Sequence, residues 1–538
     1  MYRSKTNPAS FLLTSKEYGR MKLNYKRTIF VGFAFFLICT FWQAYDTIIP
    51  KILVDQFGMS QAGSGVVMAL DNILALFMLP LFGAISDRCT SRRGRRTPFI
   101  IIGTIVASVM LVVLSFVDNK QLSNIADVSV IDDPASLAAL YEAEQDNALK
   151  TPDGTEFVLS ERFTSEEFSA IRSQIEQNGK LVTNPDYTNY VVPARQNYAW
   201  KCTAKAPGTL VLFLCILLVI LIAMAIFRSP AVALMPDVTI KPLRSKANAV
   251  INLMGTAGGI IVLALGMAFA TGSIRNSLMS YTAFFSIVAG IMLAALGVFL
   301  WQVNEPKFAA EMEAESKKYH IDETPGDEAA KGDRKLSRGE LASLLLILAS
   351  VVFWFMGYNA VTSKYSVYAG KVLSLDYNST LMIANVAAII SYLPVGFVAS
   401  RIGRKKTILA GIVMLASAFF VASFLREGSS ALLMNCMFAL AGIGWATINV
   451  NSFPMVVELS RGGDVGKYTG FYYTASMAAQ TVTPWVSGMF MDRIGLTTLF
   501  PYATIFVALA FVTMLFVRHG DSRPAQVESR LEAFADND

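Results

Sequence analysis

Charged side chains are scarce in this sequence of 538 residues. Asp, Glu, Lys and Arg make up 16% of the chain, whereas hydrophobic residues make up 54%. Soluble domains carry roughly 25% charged residues, and a soluble chain of this length would divide into several domains with polar surfaces. The composition therefore excludes a disordered chain, a collagen-like repeat and a typical cytosolic enzyme, and it indicates a chain surrounded mainly by lipid.

The residues that carry most protein chemistry are also rare. The two histidines, His320 and His519, lie in polar stretches, and the five cysteines form no CxxC pair. A histidine metal site, a buried catalytic triad and a disulfide scaffold are therefore not expected. We accordingly predict that the chain is not an enzyme and holds no metal and no cofactor.

A phosphate-binding loop is missing as well. The run Gly462–Lys467 departs from the Walker pattern in its spacing, and Tyr468 follows the lysine where Ser or Thr is required. Any transport by this chain must therefore be driven by a gradient and not by ATP hydrolysis. The basic residues are accounted for by short loops, so no nucleic-acid partner is expected.

Long apolar runs dominate what remains. Twelve of them reach the length of about 18 residues that spans the ~30 Å hydrocarbon core of a bilayer. Each is predicted to be an α-helix, because backbone groups in lipid must be satisfied within their own segment. The predicted spans cover residues 28–50, 60–86, 98–117, 207–234, 246–271, 280–302, 340–362, 379–400, 407–425, 429–457, 467–491 and 497–518.

The positions of Lys and Arg predict the orientation in the membrane. Basic residues cluster before the first span, after the second (Arg88–Arg96) and after the eighth (Arg401–Lys406). These loops fall on one side of the membrane when twelve helices alternate, and cytoplasmic loops carry the excess of positive charge. We therefore expect a multi-pass protein of the cell (inner or plasma) membrane with both termini in the cytoplasm.

Two polar inserts divide the chain. The predicted organisation is a cytoplasmic tail (1–27), a six-helix bundle (28–302), a cytoplasmic linker (303–338), a second six-helix bundle (339–518) and a cytoplasmic tail (519–538). A long external insert, residues 118–206, interrupts the first bundle.

The external insert has helix signals of its own. It holds 14 acidic and 8 basic residues. Asp133 before Pro134 predicts a helix N-terminus, and Thr164 with Glu167 fits a capping box. We expect a small helical cap, interpreted first as decoration, with a lid or a partner-binding surface as alternatives.

The two halves repeat one loop motif. The motif G-x-x-x-[SD]-R, followed by G-R-[RK], lies at the end of the second span and recurs at the end of the eighth. In addition, an acid ends the fourth and tenth spans. A repeated six-helix unit is typical of secondary transporters, and the charges can form ion pairs that break between two states. The predicted cytoplasmic gate comprises Gly83, Asp87, Arg88, Gly94, Arg95, Arg96, Asp237, Gly396, Arg401, Gly403, Arg404 and Glu458.

These motifs resemble a known family. The repeated loop is similar to that of the major facilitator superfamily, and the run 86–100 resembles the sucrose–proton symporters, which are related to the glycoside–pentoside–hexuronide cation symporters. Residues 228–237 and 41–46 resemble bacterial members of the same group. The resemblance implies an all-α membrane fold with two pseudo-symmetric six-helix bundles. Ala75 and Leu79 stand where the sodium-coupled relatives have acids, so the resemblance favours a proton over sodium as the coupling ion.

Three ionisable residues in the predicted spans are candidates for proton coupling. Asp71 lies about 16 Å into the second span at 1.5 Å per residue, near the midplane, where a charge costs roughly 2.5–3.5 kcal/mol. Asp46 lies near the outer end of the first span, and Arg228 lies late in the fourth. For each, a structural role (a paired acid, a wetted helix end, a snorkelling arginine) stays open.

Aromatic and amide side chains in the spans are candidates for sugar binding. A sugar ring has apolar faces that stack on aromatics and hydroxyls that bond to polar groups, although any one aromatic can equally serve packing. The candidates are Trp42, Gln43, Asn72, Trp354, Tyr358, Asn359, Trp445, Asn449, Asn451, Tyr472, Tyr473 and Gln480.

The combined reading is a proton-coupled symporter of a sugar or glycoside in the sucrose and maltose class. It is expected to work by alternating access as a monomer, with the sugar and membrane lipid as its partners. An exporter of drugs or other metabolites and a non-transporting sensor that uses the insert are the alternatives.

Overall fold

A computed structural model shows a long-helix protein over residues 23–177, 180–240, 244–318, 337–457 and 465–519, the residues that the structure describes. The long helices of the first half are α1 (Tyr25–Lys51), α2 (Gln61–Asp87), α3 (Thr97–Asn124), then after the insert α8 (Gly208–Asp237), α9 (Arg244–Ala268) and α10 (Thr282–Gln302). Those of the second half are α12 (Arg338–Tyr368), α13 (Tyr377–Ile402), α14 (Arg404–Ala422), α15 (Ala431–Val457), α16 (Val465–Ile494) and α17 (Leu499–Leu515).

Each predicted apolar run coincides with one of these helices. Among the described residues, ten helices are long and apolar enough to cross a membrane. The other two, α13 and α16, have 26 and 30 residues, more than the ~20 that a span needs at 1.5 Å per residue. The mostly helical membrane fold is thus confirmed, while the count of twelve spans stays a prediction.

Two separate hydrophobic cores organise the long helices. One core runs from Val31 to Val303 and the other from Leu344 to Val517. Each consists of the faces that helices of one half turn toward each other, while large apolar side chains such as Phe77 and Phe116 stay exposed on the outside. Exposed apolar surface of this kind suits contact with lipid.

The predicted insert forms a third core that is not purely helical. Its helices are α4 (Ala126–Ser129), α5 (Pro134–Glu144), α6 (Ser165–Ala170) and α7 (Val192–Lys205). Two short antiparallel hairpins accompany them, β1 (Leu149–Lys150) with β2 (Glu156–Phe157) and β3 (Gln174–Gln177) with β4 (Lys180–Thr183). The expectation of a helical cap was therefore incomplete, because strands of two to four residues are too short to show a clear alternation of apolar side chains.

The two predicted helix starts in the insert are confirmed. The Asp133 side chain accepts a hydrogen bond from the backbone N–H of Ser136 at 3.0 Å. Thr164 and Glu167 form a complete capping box, each accepting a hydrogen bond from the other's backbone N–H. Both contacts satisfy N–H groups that the first turn of a helix leaves unpaired.

Contacts between the two halves occur at the insert end, the end of the long helices beside residues 126–205. The Asp492 carboxylate accepts from the backbone N–H groups of Gln61 and Ala62 at 2.8 and 2.7 Å, and Lys364 Nζ donates to the Gln61 carbonyl at 2.5 Å. A Cβ on Gly65 would lie 2.1 Å from the Pro484 carbonyl oxygen. Helices α2 and α16 therefore pack backbone against backbone here.

A second pair of helices meets at the same end. The hydroxyls of Thr271 and Tyr377 are 2.7 Å apart, and Asn378 Nδ2 donates to Thr271 Oγ1 at 3.1 Å. Asn378 also lies against Gly266, where a Cβ would meet its side-chain oxygen at 2.3 Å. Together with the α2–α16 contact, these contacts close the insert end of the interface between the two halves.

The insert itself contacts the second half. The backbone N–H of Leu496 donates to the Pro152 carbonyl at 2.7 Å. Gly154 (φ +95°) and Gly495 (φ +132°) face each other across this contact, and a Cβ on Gly154 would lie 2.0 Å from the Ile494 carbonyl oxygen. Only glycine allows both the positive φ and this close approach.

The predicted linker is partly helical. Helix α11 (Glu305–Lys318) begins two residues after α10 reaches its C-terminal cap at Val303. Arg27 of the predicted tail donates to the Phe308 carbonyl at 2.7 Å and pairs with Glu311 at 3.2 Å. Residues 319–336 of the linker, most of the first tail and residues 520–538 lie outside the described residues.

Candidate functional site

A polar cavity of about 170 Å³ lies between the two halves. Helices α1, α2 and α8 line it on one side, and α12 and α16 on the other. Seven of the residues singled out from the sequence meet here, although they come from five separate segments. The lining residues are Trp42, Asp46, Met68, Asp71, Asn72, Arg228, Asn359, Thr362, Ser363, Gln480 and Pro484.

Two carboxylates and one guanidinium dominate the cavity. Asp46, Asp71 and Arg228 all line it, and Asn72 Nδ2 donates to Asp71 Oδ1 at 2.8 Å. Arg228 does not point to the membrane surface, since its Cζ lies 5.5 Å from the centre of the Trp42 ring. The structure thus places Arg228 beside the acids and not in a snorkelling position. With all three groups ionised, these side chains carry a net charge of −1.

Trp42 combines an apolar face with an unused donor. Its ring packs edge-on against Tyr45 at 5.3 Å and against Phe41 at 5.2 Å, which fixes its orientation. The structure gives Trp42 Nε1 no hydrogen-bond partner. Gln43, the next residue, is not among the lining residues, and its side chain packs beside Gly259 of α9.

A second cavity adjoins the first. It has a volume of about 130 Å³ and shares Thr362 with the polar cavity. The rings of Tyr358 and Trp445 line it and stack in parallel at 3.7 Å between centres, and Asn385 and Tyr392 add polar groups. Two of the aromatic candidates therefore meet each other, in a more apolar compartment beside the charged one.

The remaining aromatic candidates lie elsewhere. Trp354 is fully buried in the core of the second half. Tyr472 is buried, and its hydroxyl lies 2.9 Å from Ser452 Oγ. Tyr473 is 51% exposed. None of these three lines either cavity. The sequence did not separate them from the others because residue type alone does not tell which face of a helix turns inward.

Two amide candidates do not line either cavity. Asn451 is buried and donates to the Thr447 carbonyl one turn back at 2.9 Å, so its amide is used within α15. Asn449 is exposed, and its side chain is a hydrogen-bond partner of Tyr392, which lines the second cavity. By contrast, Thr362 and Ser363 line the polar cavity and were missed. They follow Asn359 by three and four residues and thus share its helix face, a signal that spacing could have shown.

Trp42 and Trp354 offer a matched test of these placements. We expect Trp42→Phe to raise the KM for transport several-fold with little change in stability, because it removes the unpaired indole N–H and narrows the aromatic face of a residue that lines the cavity. We expect Trp354→Ala to lower thermal stability by about 3–5 kcal/mol, the cost of truncating a large core aromatic, with an unchanged KM in the protein that folds. Uptake kinetics and thermal unfolding of both variants check this pair, and a reversed pattern would contradict it.

The predicted gate is centred on Arg96, which is 4% exposed. Its guanidinium donates to Asp237 at 2.8 Å, to Asp87 and to the Ser86 hydroxyl. Burial alone would lower the pKa of Arg96, but the hydrogen bonds and charges of Asp237 and Asp87 hold its pKa above the ordinary value. Arg95 pairs with Asp237 as well, at 2.7 Å.

Glu305 completes this cluster and was missed. It accepts from the backbone N–H of Arg96 at 2.9 Å, from that of Thr97 at 2.8 Å and from the Thr97 hydroxyl at 2.7 Å. A Cβ on Gly94 (φ +105°) would lie 2.3 Å from the same carboxylate. Glu305 thus caps the N-terminus of α3 from a segment that the sequence presented only as linker.

The other gate residues differ in how far the structure describes them. Gly83 accepts a hydrogen bond from Ser86 Oγ at 2.8 Å, and Arg88 is exposed where α2 ends. Gly403 has φ +92° at the turn between α13 and α14. Gly396 and Arg401 lie near the end of α13 and Arg404 begins α14, and Glu458 lies outside the described residues.

Comparison with known proteins identifies the family to which this chain belongs. The model of the Major Facilitator Superfamily matches residues 4–131 and 376–535, and the chain belongs to that family. It accordingly has the fold of multi-pass membrane transporters. The inward-open xylose transporter XylE from E. coli has the same fold, with a TM-score of 0.56 over 95% of this chain and 99% of its own at 14% identity.

Curated relatives are similar over short segments. A sucrose transport protein of Arabidopsis thaliana is 39% identical over 61 residues, which cover 11% of this chain and 12% of that protein. The human proton-associated sugar transporter A is 37% identical over 79 residues, 15% of this chain and 10% of that protein. The matches therefore span about a tenth of the length of these relatives.

Proposed function

We propose that the protein is a proton-coupled symporter of a neutral sugar or glycoside, in the class of disaccharides such as sucrose and maltose. The observation that carries this proposal is the cavity in which Asp46, Asp71 and Arg228 meet Trp42 and three amides between the two halves. The short similarities to sucrose and proton-associated sugar transporters support the same class.

The charges of the cavity support proton coupling. Two carboxylates and one guanidinium leave one negative charge uncompensated, and a buried charge without a partner is costly. Uptake of a single proton by Asp71 or Asp46 makes the cavity neutral, so the loaded cavity closes at lower cost than the unloaded one. Release of the proton on the other side restores the charge. A proton, and not sodium, suits two acids that face an arginine.

The polar groups of the cavity suit a sugar. Asn72, Asn359 and Gln480 offer amide donors and acceptors for hydroxyl groups, and the Trp42 ring offers an apolar face. At about 10–15 Å³ for each water-sized group, the polar cavity has room for one sugar ring. The aromatic cavity that adjoins it at Thr362 has room for a second ring, which supports a disaccharide over a monosaccharide.

Alternating access follows from the two halves. We propose that residues 28–302 and 339–518 rock about the cavity as rigid bundles, with the insert outside the cell and both tails and the linker in the cytoplasm. The backbone contacts of α2 with α16, and the contacts of the Tyr377 and Asn378 side chains of α13 with Gly266 and Thr271, would seal the outer side in this arrangement. The Arg96 cluster and the loop at Gly403 belong to the inner gate, and a monomer is sufficient.

Uptake into proteoliposomes tests the proposal. We expect labelled disaccharide to accumulate when the lumen is more alkaline than the outside, and accumulation to stop when a protonophore removes the gradient. Replacing sodium with potassium is expected to leave uptake unchanged. Gradient-driven efflux of drugs without glycoside uptake would instead identify an exporter, and the absence of any flux would leave the sensor interpretation.

A further inference from the structure

A small cavity lies where the insert meets both halves of the protein, away from the polar cavity. Its volume is about 30 Å³. We call it the junction cavity. Lys51 and Asp55 of the first half, Arg195 and Gln196 of the insert helix α7, and Lys371 of the second half line it.

The junction cavity is rich in buried positive charge. Lys51 and Arg195 are 4% exposed and Lys371 is 8% exposed. Asp55 is the single acid among the lining residues, and it is shared: its carboxylate lies 3.1 Å from Lys371 Nζ and 3.9 Å from Lys51 Nζ. Three cations therefore face one anion, which leaves two positive charges uncompensated within the lining.

Neighbouring acids are already engaged. Asp376 accepts hydrogen bonds from the backbone and side chain of Asn378. Asp132 accepts from the backbone N–H and the hydroxyl of Ser173. Neither acid forms an ion pair with a residue of the junction cavity in the part of the chain that the structure describes, so they reduce its positive potential only at a distance.

Arg195 has donors to spare. Its Nη1 donates to the Tyr187 hydroxyl at 2.6 Å, but Nε and Nη2 are buried and the structure gives them no hydrogen-bond partner. A guanidinium has five N–H donors in a planar fork, and buried donors of a charged group are costly to leave unpaired. An acceptor with negative charge is the group that would satisfy them.

We propose that the junction cavity binds a small monovalent anion such as chloride. A cavity of this volume holds one halide ion or about two waters, whereas sulfate and organic anions are too large. The ion would lie among groups of the first half, the insert and the second half. By compensating charges that otherwise repel each other, it would stabilise the arrangement in which the insert end is closed.

Thermal unfolding of the purified full-length protein in detergent tests this site. In halide-free sodium gluconate buffer, addition of sodium chloride is expected to raise the Tm by about 2 °C or more at concentrations well above the Kd. Bromide is expected to act like chloride, and extra gluconate or sulfate at equal ionic strength is expected to have no such effect. An equal Tm in chloride and gluconate for the unmodified protein would overturn the proposal.

Variants locate the effect. Arg195→Gln and Lys371→Gln are expected to abolish the chloride-dependent rise, and Arg195→Lys to reduce it, since lysine keeps the charge but not the fork. Lys205→Gln, an exposed site on the same helix, is the matched control and is expected to keep the full rise. A full rise in Arg195→Gln would place the anion elsewhere and contradict the assignment.

The junction cavity goes beyond the proposed symport, and the two can fail separately. If chloride does not raise the Tm of the unmodified protein while proton-driven sugar uptake is intact, only the anion site is refuted. Binding of radiolabelled chloride to the purified protein gives a second readout that does not depend on stability. The bound chloride is expected to be displaced by bromide and not by gluconate. If no such binding is found, the anion site is refuted independently.

Discussion

Asp71→Asn is expected to abolish accumulation of sugar driven by a pH gradient, with a loss on the order of 100-fold in the initial rate. The amide has the shape of the protonated acid and cannot release a proton. The side-chain oxygen that accepts from Asn72 at 2.8 Å remains, so the cavity should keep its geometry. We therefore expect exchange of labelled for unlabelled sugar across the membrane, which needs no net proton movement, to persist.

The comparison of driven uptake with exchange is the decisive measurement. Asp146→Asn, on an exposed part of the insert, serves as the control and should leave both processes intact. If Asp71→Asn accumulates sugar as the unmodified protein does, Asp71 is not the proton carrier. The same pair of assays on Asp46→Asn then shows whether the carrier is Asp46, the other acid that lines the cavity.

Arg96→Gln is expected to lower the stability of the protein strongly. Arg96 is buried and bridges Asp237 and Asp87, and removal of one partner from a buried ion pair costs about 3–5 kcal/mol because the remaining charge stays unpaired. Asp237 keeps Arg95 as a partner at 2.7 Å, and the Asp87 side chain is 56% exposed, so the expected loss lies at or below the lower end of that range. Thermal unfolding in detergent measures it.

The same substitution tests the role of the cluster as a gate. Arg92→Gln, an exposed site in the same loop, is the matched control and should change neither stability nor transport. If the cluster only fixes topology, Arg96→Gln should lower stability and leave the turnover of the folded fraction unchanged. If the cluster is a gate, Arg96→Gln should also change the ratio of the uptake rate to the efflux rate, because one side of the protein would then close less well than the other.

The helices were predictable because lipid imposes a simple rule. A segment of some 20 apolar residues that cannot exchange hydrogen bonds with water must form a helix, and the long helices coincide with the predicted runs. The insert obeys different rules. Its helix starts at Asp133 and Thr164 were visible because capping uses specific side chains, whereas its short hairpins carry too few residues to show a period.

The site was predictable only where rarity marked a residue. Asp46, Asp71 and Arg228 stand out because charges are costly in lipid, and the structure brings them together. Aromatic residues carry no such mark, because Trp and Tyr also fill cores and line the membrane surface. Trp354 and Tyr358 share a helix face at a spacing of four, yet one is buried in the core and the other stacks on Trp445.

Glu305 and Arg195 show a further limit. Each lies in a polar stretch where charged residues are common and expected to be solvated, and each is buried in the structure. Their surroundings are set by residues far away in the chain, since Glu305 accepts from Thr97 and Arg195 lines the junction cavity together with Lys371. Only the tertiary fold can reveal such partnerships, because a single sequence gives no information on which polar loop covers which helix end.

The glycines at 154 and 495 set a constraint on how the insert can vary. The insert is covalently part of the first half, and at these two residues it lies against the backbone of the second half. Each glycine has a positive φ and faces backbone atoms of the other segment, so neither position can accept a side chain. Both sites should therefore resist substitution over evolutionary time. This part of the insert should then diverge no faster than the helices of the second half that it contacts.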